Sequence, residues 1–297
     1  MKMHSEREAS GMISGRQASE SKSTALHFED SPQRAAGSFN GVIVADKPMG
    51  WTSHDVVAAV KKKIGARKVG HLGTLDPLAT GVLPLVIDGA TKSSCLLEGG
   101  RKDYIAALKL GEATDTYDSE GKVLSTGDFS HVTPGDILRA LSGFIGRIRQ
   151  VPPMYSSIKR AGVPLYRLAR RGIVVEREAR DVEVFGIEAL NIASPYLDFR
   201  VVCSRGTYVR SICSDLGAVL GCGAHLTGLR RVASGAFTIE ESVSPEAGKE
   251  ALISSIIPIE EAIKRSSAQA LCPTGEDTHG IETMDGGAGH AAKSGCG

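Results

Sequence analysis

The chain has 297 residues, 41% of them apolar, and its 35 Lys and Arg nearly balance 34 Asp and Glu, leaving a net charge of +1. That composition belongs to a globular chain and excludes fibrous and wholly disordered classes, while no stretch approaches the ~18 consecutive apolar residues of a membrane-spanning helix. Six scattered cysteines contain no C-x-x-C pair and eight histidines form no H-x-x-x-H pattern, so no disulfide scaffold, dithiol redox centre or zinc site is signalled.

Residues 1–38 hold eight serines, five charges of each sign and few large apolar residues, a composition that cannot offset the entropy of ordering. They are expected to form a disordered tail; its acidic residues and lack of an apolar segment argue against a secretory signal or transit peptide, so a cytoplasmic location is expected. Gly41 to Ala45 (GVIVA) then predicts a buried strand. Ser53 is placed to N-cap a helix whose Val56, Val57, Val60 and Ile64 recur at helical spacing until Gly65. A strand is expected over Val82 to Ile87, and Lys102 to Leu110 sets Tyr104, Ala106, Leu108 and Leu110 on one face. A polar turn from Thr114 to Gly121 and a short strand at Val123 complete a hairpin.

Thr133, Pro134 and Asp136 have the signature of an N-cap, a first-turn proline and an acidic first turn, opening a helix with Ile137, Leu138, Leu141 and Phe144. Residues 147–180 carry nine Lys or Arg against Glu176 and Glu178, with Tyr155 and Tyr166 interleaved. Such a run is either a solvated face or a nucleic-acid surface, where aromatics stack on bases and cations meet phosphates. Strands over Val182 to Ala189 and Leu197 to Cys203, a helix from about Thr207 to Leu220 and a strand ending near Phe237 follow. Mixed runs of this kind predict an α+β fold with one core and no internal repeat. Residues 266–297 hold seven glycines, and Glu276, Asp277, Glu282 and Asp285 face a lone Lys293, which predicts a second, acidic disordered tail. Between the tails, residues 39–265 carry 29 basic and 25 acidic residues, a net of +4.

The most constrained segment is Gly70 to Leu85, GHLGTLDPLATGVLPL, in which Asp76 stands among Leu75, Leu78, Val82 and Leu83. A carboxylate in apolar company is costly unless a cation or hydrogen bonds hold it, although an aspartate before proline also serves as a turn residue bonding its own backbone. Arg210, beyond the turn at Gly206, is the candidate partner; a surface arginine is the plain alternative. Paired with Arg210, Asp76 would remain ionised and oriented, as a nucleophile must be. Without metal ligands that chemistry points to an anomeric carbon or an electrophilic ring carbon. Glycoside hydrolysis would ordinarily need a second carboxylate, and the segment offers none nearby. Tyr104 and Tyr208 are its ring-bearing neighbours.

With these segments in view, the chain resembles the TruB family of bacterial tRNA pseudouridine synthases. The likeness runs through Val44-Ala45-Asp46-Lys47-Pro48 with Trp51-Thr52-Ser53, the whole Gly70 to Leu85 block, Lys102-Asp103-Tyr104, and Leu110-Gly111 with Thr114-Asp115-Thr116. It continues in Gln150 to Ser156 with Lys159, Gly162 to Tyr166, Ser204 to Arg210, His225-Leu226-Thr227 and Leu229-Arg230-Arg231. These blocks cover about residues 40–240 in the family's order, and their number makes the resemblance specific.

The resemblance implies a pseudouridine synthase fold, a mixed, mostly antiparallel sheet flanked by helices, with a catalytic domain over 39–241. It implies isomerisation of the uridine at position 55 of tRNA, by flipping the base, cleaving its glycosidic bond with aspartate assistance and rejoining it through C5. Asp76 matches the catalytic aspartate, Arg210 its partner, and Tyr104 the tyrosine that stacks on the base and takes part in the final proton removal. His71 matches the residue that fills the space left by the flipped base, while Tyr208 and Leu229 line the pocket. Lys47 supports the site, and Tyr155 and Lys159 are expected to contact substrate. No cofactor or metal is implied, the partner is tRNA through its T-loop and T-stem with no membrane involved, and a monomer is expected.

The chain departs from the family pattern at Leu72, where threonine is usual, and at Arg205, where lysine is common. Many members add a small RNA-binding PUA domain, but residues 242–265 suffice only for a short extension, the remnant of such a domain or a substitute for it. The catalytic domain and thumb-like insertions are therefore expected to carry most of the grip on tRNA. Two other readings compete: a tRNA-folding chaperone without catalysis, and a nucleoside or glycoside hydrolase that uses Asp76 alone.

Overall fold

A computed structural model describes residues 39–271. The tail expected over residues 1–38 lies outside the described residues, as does the expected acidic tail from residue 272 onward. The first strand, β1 (Asn40–Lys47), is buried along nearly its whole length, as its unbroken apolar run requires. Helix α1 (Ser53–Ile64) buries Val56, Val60 and Ile64 and stops at Gly65, whose φ of 73° is left-handed. Its cap is Thr52, which forms a capping box with Asp55. Ser53, expected as the cap, is instead the buried first helical residue.

The chain continues through β2 (Val69–His71), β3 (Ala79–Asp88), the single turn α2 (Ser94–Leu97), β4 (Lys102–Leu110), and the hairpin of β5 (Glu112–Thr114) with β6 (Val123–Thr126). Helix α3 (Pro134–Ser142) carries the Thr133–Asp136 capping box that its sequence announces. Next come β7 (Gly146–Gln150), the small ladder of β8 (Lys159–Arg160) with β9 (Val163–Pro164), and α4 (Leu165–Ala169). The long hairpin of β10 (Arg180–Ala193) and β11 (Tyr196–Cys203) leads to α5 (Val209–Val219), β12 (Ala224–Ser234), β13 (Phe237–Thr238), α6 (Lys249–Ser254), β14 (Ile257–Pro258) and α7 (Ile259–Leu271).

Ten strands form one sheet with the main order β14-β1-β3-β12-β4-β11-β10-β7, to which β2 is added beside β3 and β13 beside β12. Of the pairings between these strands only β3 with β12 is parallel. Apolar residues fill both faces: Ile43, Ala45, Leu83, Leu85 and Phe199 pack with α1, α3 and α5, while Val42, Val44, Val82 and Val86 pack with α2 and α7. The last helix corrects one expected boundary. Residues 266–271, assigned from composition to the acidic tail, belong to α7, where Arg265 bridges Glu241 at 2.7 Å and Glu261 at 2.5 Å.

Candidate active site

Three neighbouring strands bring distant segments together. The loop before β3 carries Asp76, β12 carries Leu229 and Arg231, and β4 carries Tyr104; Leu229 lies opposite Ala79 on one side and Ala106 on the other, and Arg231 lies opposite Gly81 and Tyr104.

The Asp76 loop is tied down from below. Ser53 Oγ accepts the Leu75 amide at 2.9 Å and donates to the Leu75 carbonyl at 3.1 Å. The Gly50 amide donates to the Pro77 carbonyl at 2.9 Å, and the Ala79 amide to the Asp76 carbonyl at 3.1 Å, closing a turn around Asp76-Pro77. Lys47, wholly buried, donates Nζ to the carbonyls of Pro48, Trp51 and Pro77. Burial pushes its ammonium down to about 8 against the pull of Asp76. Lys47 is thus a tether under the loop that carries the carboxylate.

Asp76 is surrounded by protein but not sealed, because 40% of its side-chain surface stays exposed where it faces a cavity of about 690 Å³. Of the expected apolar collar, Leu75 lines the cavity beside Asp76, while Leu78, Val82 and Leu83 pack into the cores. Protein around Asp76 raises its carboxyl above the ordinary range, and Arg210 opposes this most strongly. The arginine enters from the first turn of α5 with 4% of its side chain exposed, placing Nη2 at 3.0 Å from Asp76 Oδ2. It also donates to the carbonyls of Thr116 at 2.9 Å and Tyr155 at 2.8 Å, and Nη1 lies 3.4 Å from Asp118 Oδ2. The pairing read from sequence is therefore present in the structure.

Asp118 was not anticipated. It is buried in the turn between β5 and β6, where Oδ1 accepts from Thr116 Oγ1 at 2.5 Å and from the Glu120 amide at 3.1 Å. Its signal, aspartate two residues after threonine, is shared with ordinary turns.

Tyr104 is 7% exposed, and burial raises its phenol while a hydrogen bond from Arg231 opposes that rise. Tyr208 is fixed through its backbone by buried Gln150, which accepts its amide at 2.8 Å and donates to its carbonyl at 3.1 Å. Its hydroxyl meets Ser156. Leu229 and Tyr155 line the cavity, as do the cations Lys102, Arg170 and Arg205. Two of the expected substrate contacts lie outside the cavity lining. His71 does not line the cavity; it lies edge-on to His54 at 5.7 Å, and it is His54 that faces the cavity. Lys159 is exposed on β8, away from the lining. Arg231, part of a matching block but without a role implied by the resemblance, is a lining residue. Its spacing of two from Leu229 on a strand is the signal that placed both on one face.

Among the described residues no three His, Cys, Asp or Glu side chains converge as metal ligands, and no helix is long and apolar enough to cross a membrane. What the cavity presents is Asp76 oriented by Arg210, three further carboxylates on Glu98, Asp118 and Glu120, four tyrosines (Tyr104, Tyr155, Tyr166 and Tyr208), an aliphatic wall and a cationic margin, a set able to stack a flat ring while the Asp76 carboxylate acts on an adjoining carbon.

Residues 61–209 match the family described as TruB family pseudouridylate synthase (N terminal domain), and residues 210–264 match the tRNA pseudouridylate synthase B C-terminal domain. A tRNA pseudouridine synthase B of Geobacter sulfurreducens is 51% identical over 211 residues, 71% of this chain and 69% of that protein. One of Syntrophotalea carbinolica is 45% identical over 240 residues, 80% and 78% of the two chains. Among solved structures, a Cbf5-Nop10-Gar1 complex is similar with a TM-score of 0.59 and 33% identity, over 76% of this chain and 62% of that one. An H/ACA RNP bound to a substrate RNA containing 2'-deoxyuridine is similar with a TM-score of 0.56 and 30% identity, over 76% and 61%.

Proposed function

The chain belongs to the TruB family of pseudouridylate synthases and isomerises uridine in tRNA, and from that premise we propose that its target is uridine 55 of the T-loop, turned out of its stack into the Asp76 cavity. The Asp76–Arg210 pair, 3.0 Å apart at the edge of a 690 Å³ space that also holds Tyr104, carries this reading. That volume falls in the range of single-ligand sites and suits one extruded nucleotide. Extrusion costs a few kcal/mol, which stacking on the cavity's tyrosines and phosphate contacts from the basic segment offset.

In this reading Asp76 assists cleavage of the bond between ribose C1′ and N1, held ionised by Arg210. The uracil turns and rejoins through C5, and Tyr104 removes the C5 proton. Tyr208, Leu229 and Tyr155 keep the detached ring in place, and Lys47 keeps the Asp76 loop in register. The enzyme acts in the cytoplasm as a monomer, gripping the T-loop and T-stem with the catalytic domain.

The test is tritium release from tRNA carrying [5-³H]uridine, since forming the C5–C1′ bond expels that hydrogen. Native protein releases tritium mapped to position 55, and Asp76→Asn, which keeps the shape and removes the charge, still binds tRNA but falls by at least about 10⁴-fold. Release from another position, or activity retained by Asp76→Asn, overturns the reading.

A further inference from the structure

Arg231 has no place in the mechanism above, yet it is among the most completely buried large side chains, 1% exposed, at the back of the substrate cavity. Its Nε donates to the Val82 carbonyl at 2.7 Å and its Nη2 to the Gly73 carbonyl at 3.0 Å, so the guanidinium is fixed by backbone on two edges. It forms no ion pair among the described residues. A buried guanidinium facing only neutral acceptors is costly, and an apolar side chain would fill the same space without that cost. It also hydrogen-bonds the hydroxyl of Tyr104, directly opposite on the neighbouring antiparallel strand. The groups facing Tyr104 are Arg231 from β12, Cys203 from β11 and Asp76 from the loop before β3. Burial pushes the Cys203 thiol up to about 12, which keeps it neutral, and Asp76 is negative. Lys102, two residues earlier on the same face of β4, is a second cation nearby, but its Nζ donates to Ser234 Oγ at 3.0 Å, and Arg231 is the cation that hydrogen-bonds the phenol.

We infer that Arg231 is a positioning residue for the isomerisation: it aims the Tyr104 oxygen at the reacting ring and stabilises Tyr104 as a phenolate, the form that accepts the C5 proton. The inference rests on the reading of Tyr104 as the base. In the step, the C5–H bond breaks and its electron pair restores the C5–C6 double bond. The C6–N1 π pair moves onto N1, which takes a proton from water. The proton from C5 forms the O–H bond of Tyr104 and passes to water as product leaves, regenerating the phenolate. Negative charge on the phenolate gives the buried guanidinium the counter-ion it otherwise lacks.

The experiment follows tritium release under single-turnover conditions against pH in Tyr104→Phe, Arg231→Met and Arg231→Lys, with tRNA affinity and folding measured on each. Tyr104→Phe is expected to lose about 100-fold or more in rate. Arg231→Met is expected to lose about 100-fold with tRNA affinity within about threefold, and the rise of rate with pH moves to more alkaline values. Arg231→Lys, which keeps a cation, recovers about tenfold of that loss and moves the rise part of the way back. If Arg231→Met fails to fold, the comparison is made on Arg231→Lys with 3-fluorotyrosine at position 104, whose more acidic phenol is expected to restore the native pH profile. A rate loss with an unmoved pH profile and no rescue by fluorotyrosine overturns the inference and leaves Arg231 a packing residue. Full release by Tyr104→Phe would instead overturn the reading of Tyr104 and separate that failure from this one.

Discussion

Asp76 faces two opposing environments: protein around its carboxyl raises it and the Arg210 guanidinium at 3.0 Å lowers it, with burial the larger effect. The ionised carboxylate is the working form, so activity falls as pH drops through a value above the ordinary carboxylate range. Replacing Arg210 with Gln removes the opposing cation, so the acid limb of single-turnover tritium release is expected to move further towards neutrality while the rate drops. An acid limb that stays in place in Arg210→Gln would show that the ion pair does not set the charge on Asp76. The residue-level reading from sequence reached Asp76, Arg210, Tyr104 and Tyr208 because each stands in a short run of constrained or aromatic residues. It did not reach Asp118 or Arg231, because what distinguishes them is burial without an obvious apolar context, and burial of a charged side chain is written in the packing of other strands. Lys159 illustrates the converse: a cation in a matching block whose strand, β8, leaves it exposed and outside the cavity.

Among the elements, β3 and β12 meet in the one parallel pairing between named strands of the sheet, and the contact is unusually close at Gly81. This glycine has φ 98°, and a Cβ on it would run into the carbonyl oxygen and amide nitrogen of Arg231. Gly65, at the end of α1, is also left-handed, with φ 73°, but a Cβ there meets nothing within 4 Å. The two positions separate backbone conformation from collision. Gly65→Ala is expected to cost about 1 kcal/mol, and Gly81→Ala about 2–4 kcal/mol, with loss of tritium release because Arg231 is displaced. Urea unfolding of both variants measures the difference, and equal costs would mean that the strands relax apart without penalty. Local periodicity made β1, α1, β4 and α3 legible, since each has its own alternation or cap. The strand order was not legible, because nothing in the residues of β12 states that it lies between β3 and β4, and that placement assembles the site. The end of α7 is illegible for a related reason: residues 266–271 hold a single large apolar residue, Leu271, too little to mark a helical face, and the helix is held by Ile259, Ala262 and the Arg265 ion pairs.

For the molecule as a whole, a net charge of +1 gives no hint of an RNA partner, and the distribution of charge is what matters. Arg147, Arg149, Lys159, Arg167, Arg170 and Arg171 are exposed, and none forms an ion pair among the described residues. They follow one another through β7, β8, α4 and the two residues after it, and Arg170 sits over the ring of Tyr166 at 5.6 Å while also lining the cavity. Asp181 and Glu183 on β10 lie opposite Arg149 and Arg147 without closing an ion pair, and cations left unpaired in this way can exchange their counter-ions for phosphates on binding. The logarithm of tRNA affinity is therefore expected to fall linearly with the logarithm of salt concentration, by about 0.7–0.9 per phosphate neutralised. Changing Arg147, Arg149 and Arg167 together to Gln is expected to lower the slope by about 2–3 and weaken binding, while the single-turnover rate at saturating protein stays near native because the cavity is untouched. Filter binding over a salt series reads the slope, and the two effects fail in different ways. An unchanged slope would move the RNA to another face of the molecule. A reduced slope with a slowed chemical step would mean that these arginines also hold the tRNA in the geometry that extrudes the base.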